Sequence, residues 1–66
     1  MTDKQRFLVY VRIGSLIASI RQKENLSIND AVKRLIENGI IQKIEDLETG
    51  YYLESSAYLE DEFINL

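Results

Sequence analysis

From Asp3 to Glu24 the chain runs without a proline, and its apolar residues recur at helical spacing. This segment constrains the fold most, because everything after it must pack against a helix that takes up about a third of the 66 residues. At about 100° per residue, Val9, Tyr10, Ile13, Leu16, Ile17 and Ile20 share one broad face, the stripe expected of a core helix. Phe7, Val11, Gly14 and Ala18 form a second strip elsewhere on the cylinder. Arg12, Ser15, Ser19, Gln22 and Lys23 fill the remaining wedge, with Leu8 among them. The second strip has two readings. Either the chain covers this helix on two sides, or Gly14 and Ala18, four apart, permit close approach of a second copy.

Lys23-Glu24-Asn25-Leu26 ends this helix, and Ser27 reads as the N-cap of the next, with Asp30 placed to reach back to the cap amide. The second helix is predicted over about Ile28 to Asn38. Its stripe is Ile28, Ala31, Val32, Leu35 and Ile36, and its outer face carries the i,i+4 pairs Asp30 with Arg34 and Lys33 with Glu37. Gly39 is the expected left-handed residue after it. A third helical piece is predicted over about Ile41 to Glu48, with Ile41, Ile44 and Leu47 inward, ended by Gly50. Tyr51-Tyr52-Leu53 reads as an extended connector or a brief strand. Ser55 or Ser56 can cap a last helix from about Ala57 to the end, with Leu59, Phe63 and Leu66 inward. An apolar final residue, Leu66, suggests a trimmed or tucked-in tail. The expected fold is all-α: one domain over residues 1–66, a small bundle of three to four helices with a long first helix.

With 45% hydrophobic residues the chain has the composition of a globular domain. At this size the core is small, and the absence of cysteine rules out disulfide staples and thiolate metal sites. Association with itself or with a partner is the natural remedy. The longest apolar run, Phe7 to Val11, is too short for a membrane span, so the expected location is the cytoplasm.

Charge is sorted by position. Residues 1–23 carry Lys4, Arg6, Arg12, Arg21 and Lys23 against Asp3. Residues 44–66 carry Glu45, Asp46, Glu48, Glu54, Glu60, Asp61 and Glu62 and no base. A basic front and an acidic back either fold onto each other or offer the acidic part to a basic protein. Tyr51, Tyr52 and Tyr58 lie in that acidic part beside Phe63. Their bland role is core filling, and their sharper role is anchoring such a partner.

No histidine and no cysteine leave no Ser–His–Asp, Cys–His or zinc-hydroxide scheme, and the three glycines are isolated, so no phosphate loop is visible. No enzymatic activity and no cofactor or metal are expected. Asp46-x-Glu48-x-Gly50-x-x-x-Glu54 lacks the regular spacing of a calcium loop, and packing accounts better for Leu47 and Tyr51. A helix-turn-helix reading of Leu26 to Glu48 is the alternative. Its recognition helix would offer Gln42 and Lys43 against Glu45, Asp46 and Glu48, a charge that opposes DNA.

The order of these features resembles that of small bacterial proteins known only as a domain of unknown function. The features are Phe7-Leu8-Val9-Tyr10-Val11 in the first helix, Asn25-Leu26-Ser27 opening the second, Asn38-Gly39-Ile40-Ile41 before a short third, an aromatic connector, and an acidic last helix. Members of that group often lie beside genes for ADP-ribosyltransferase-like proteins. The resemblance implies a non-enzymatic accessory or antitoxin-like protein and assigns no site residues. The reading that follows is a helical interaction module, self-associating through Phe7, Val11, Gly14 and Ala18, with Tyr51, Tyr52 and Tyr58 as further contacts.

Overall fold

The computed structural model describes residues 1–64. Among these, four helices follow one another: α1 (Asp3–Glu24), α2 (Ile28–Glu37), α3 (Ile40–Glu45) and α4 (Ser56–Phe63). Two 3-10 turns, Leu47–Thr49 and Tyr51–Leu53, join α3 to α4. Among the described residues there is no strand, and none of the helices is long and apolar enough to cross a membrane. The all-α expectation with a long first helix holds. The connector over Tyr51 to Leu53 is a 3-10 turn rather than a strand, and the third helix stops at Glu45, three residues early. Asp46 causes that stop: its backbone is extended, and its carboxylate accepts from the Glu48 amide at 3.1 Å to cap the first 3-10 turn.

Helix α1 is the spine. A 22-residue helix is about 33 Å long, and 33 Å is the longest extent of the molecule. Helices α2, α3 and α4 and the second 3-10 turn all pack on it. It begins with a full capping box, in which Thr2 Oγ1 accepts from the Gln5 amide and the Gln5 side chain accepts from the Thr2 amide. It ends at Asn25 in the left-handed conformation, φ 54°, which asparagine tolerates better than most residues.

Among the described residues the core is wholly aliphatic: Val9, Leu16, Ile20, Ala31, Leu35, Ile40, Ile44 and Leu59. Ile13 and Ile17 pack partly against it, as their stripe requires. Tyr10 does not. It is 65% exposed, because it lies about 100° beyond Val9 and so past the rim of the buried arc. In α2 the core line is Ala31 and Leu35, while Ile28 and Ile36 are exposed. The six-residue α3 that packs on α2 is too short to cover its whole stripe.

Ser27 and Ser55 are the N-caps of α2 and α4, accepting from the amides of Asp30 and Tyr58 at 3.1 Å each. Gly39, at φ 83°, makes the turn into α3. Arg34 pairs with Glu24 of α1 at 3.0 Å, not with Asp30. This pair links the end of α1 to α2. Lys33 and Glu37 form no ion pair among the described residues. Leu66, assigned from sequence to the inner face of the last helix, lies outside the described residues.

Candidate functional site: the outward face of α1

The buried arc of α1 is supplied with partners, and the opposite arc is not. Phe7 is 65% exposed and Val11 43%, and Gly14 and Ala18 are exposed beside them. The four residues at steps of four, three and four therefore form an open apolar line along the helix. The reading in which the chain covers α1 on two sides is corrected by this exposure. The elements after α1 are short, and all of them are used on its inner arc.

Gly14 sharpens the point. A methyl group built at this position meets nothing within 4 Å. Glycine in a helix interior costs about 1 kcal/mol relative to alanine, and no neighbour within the chain requires it. Near the C-terminal end of the same face, Ala18, Arg21, Gln22, Asn25 and Leu26 line a shallow, open depression of about 300 Å³. Arg21 there donates through Nε to the Leu26 carbonyl at 3.2 Å.

The aromatic residues divide. Tyr51 is half-buried against the core and meets Phe63 edge to face, with ring centroids 5.3 Å apart. Tyr52 is also half-buried against the core. Tyr58 is exposed on α4. Its phenol is pushed above its ordinary value, first by the charge of Glu62, then by burial, and then by Tyr51 and Glu54. So Tyr51 and Tyr52 pack with the core, and Tyr58 presents an open ring in an acidic field.

Between α1 and α4 runs a polar seam made by Arg12, Ser19 and Lys23 with Ser56 and Glu60. Glu60 is only 7% exposed. Its Oε1 accepts from Ser19 Oγ at 2.6 Å and from Lys23 Nζ at 2.8 Å. Burial pushes this carboxyl up, but the hydrogen bonds from Lys23 and Ser19 and the charge of Lys23 outweigh it and hold the carboxyl below its ordinary value. About two turns from Ser19 toward the N-terminus, Arg12 donates through Nη1 to Ser56 Oγ at 3.1 Å, while its buried Nε has no partner. The signal was present: Arg12, Ser19 and Lys23 fall within a narrow arc of α1 beside the buried stripe. This seam is also where the basic front and the acidic back meet, through Lys23 and Glu60.

As for a recognition helix, α3 buries Ile40 and Ile44 and exposes Gln42, Lys43 and Glu45. Its outward face therefore has one cation opposed by a nearby acid. Among the described residues no three carboxylates gather as a metal-ligand set. No family model, curated protein or solved structure matches the chain.

Proposed function

We propose that this protein is a non-enzymatic interaction module that self-associates through the outward face of α1. The observation that carries the reading is the open line of Phe7, Val11, Gly14 and Ala18 on a helix whose opposite arc carries the core. A core of eight aliphatic residues among those described is small for an isolated domain, and covering exposed apolar surface adds to it. The occupant is a second copy, since the face holds large and small residues that fit one another. An accessory or antitoxin-like role in the cytoplasm of a bacterium is compatible with such a module.

Sedimentation equilibrium tests the reading. The native chain is expected to sediment as a dimer at tens of micromolar, and Ala18→Glu is expected to return it to monomer with its helical content intact. A native chain that stays monomeric over that range overturns the reading.

A second reading has an observation of its own. Tyr58 is open and sits close enough to Glu62 and Glu54 for their charge to raise its phenol. An aromatic anchor in an acidic field suits a basic protein surface. Under that reading, capture from the native host returns one stoichiometric basic protein from the native chain and loses it with Tyr58→Ala.

A further inference from the structure

We infer that two copies pair antiparallel along α1, about a two-fold axis that passes between the helices level with the Arg12–Ile13 peptide. The inference rests on self-association through this face and fixes its geometry. Phe7 and Ala18 lie equally far from that point along the helix, and so do Val11 and Gly14. An antiparallel arrangement therefore brings Phe7 opposite Ala18 of the second copy and Val11 opposite Gly14 of the second copy. Each large side chain meets a small one, twice over by symmetry. The open space above Gly14 is then where the Val11 side chain of the second copy seats, and the missing Cβ lets the backbones approach.

Charge agrees with the same pairing. Asp3 and Arg21 are five full turns apart, so they share one flank of the strip, and both are exposed. Antiparallel packing sets Asp3 of one copy near Arg21 of the other at both ends of the interface. Arg21 spends Nε on the Leu26 carbonyl and keeps its two terminal nitrogens as further donors. Lys4 and Gln22 share the opposite flank, also five turns apart, and are matched with each other in the same way. A parallel pair is poorer on both counts. It stacks Phe7 on Phe7 and leaves a gap between two Gly14 positions. It also crosses the flanks, which puts Asp3 beside Lys4 but Arg21 beside the uncharged Gln22, so only one end of the strip is matched in charge.

The chain has no cysteine, so single thiols can be introduced cleanly. Lys4→Cys and Gln22→Cys are both at exposed positions on one flank. Each variant alone, and a mixture of the two with one carrying a mass tag, is treated with a short bismaleimide at a concentration where the native chain is dimeric. The expected result is a mixed product that joins position 4 of one copy to position 22 of the other, with none from either variant alone. Products from each variant alone, and none that is mixed, overturn the antiparallel geometry while leaving self-association standing. No product in any arm, with a dimer mass still seen by sedimentation, moves the interface off α1 and also overturns it. A monomer mass for the native chain removes the self-association reading itself, and this inference with it.

Discussion

Replacing Ser19 with alanine tests how the acidic and basic parts of the chain are joined. Ser19 Oγ donates to Glu60 Oε1 at 2.6 Å, within the range of charge-assisted hydrogen bonds. A hydrogen bond to a charged group contributes about 1.5–3 kcal/mol, and Glu60 is too buried for water to replace the lost donor fully. Lys23 holds the same carboxylate oxygen at 2.8 Å, so the variant keeps the ion pair and loses only the hydroxyl donor. Ser19→Ala is therefore expected to destabilise the fold by about 2 kcal/mol at neutral pH. A domain of this length has a total of only about 3–10 kcal/mol, so the effect is large. The pH dependence has a definite sign. The Glu60 carboxyl sits below its ordinary value in the folded chain, so its stabilisation is complete above the unfolded carboxylate range and is lost as pH falls through the folded value. The gap between native and variant should accordingly narrow in acid. Urea unfolding followed by far-UV circular dichroism, at neutral pH and at steps below pH ~4, measures both. A neutral-pH loss within the ~0.5 kcal/mol of an ordinary surface change, or a loss that persists undiminished in acid, would refute the role given to this seam.

Three further outcomes are expected. Gly14→Ala should raise the stability of the dilute, monomeric chain by about 1 kcal/mol, since the new methyl meets nothing and glycine is the poorer helix former; a thermal melt reads the shift. Leu16→Ala should cost about 2–5 kcal/mol, because Leu16 is fully buried at the centre of the spine, and chemical denaturation should find this variant close to unfolded in buffer. Glu62→Gln should bring the Tyr58 phenol down toward its ordinary value, seen as an earlier tyrosinate absorbance rise in alkaline titration; no movement would place the cause elsewhere.

The helices were legible in the sequence because local rules govern them. Capping at Ser27 and Ser55, the left-handed turn at Gly39 and the Val9–Leu16–Ile20 stripe all follow from neighbours within a few positions. The open strip Phe7, Val11, Gly14 and Ala18 was likewise visible as a second apolar arc, and what the sequence left undecided was whether the chain covers it. That depended on how much length α2, α3 and α4 would have. Exposure of Ile28 and Ile36 arose for the same reason: periodicity marks a stripe, but the size of the neighbour decides how much of it is buried. Glu60 was missed because it sits in a run of acids, and charge runs usually face water. Only the meeting of α4 with the Ser19 and Lys23 arc of α1 singles it out, and that contact spans about forty residues of sequence.

The core without an aromatic ring has a spectroscopic consequence. No tyrosine or phenylalanine of this chain is fully buried, and the chain has no tryptophan. Near-ultraviolet signals will therefore follow the rim, chiefly the Tyr51–Phe63 stack that ties the second 3-10 turn to α4, and backbone ellipticity will follow the helices. Coincident melting by the two probes would make the rim and the spine one cooperative unit, whereas an earlier near-ultraviolet loss would mean that the α4 side peels away while α1 still holds its turns.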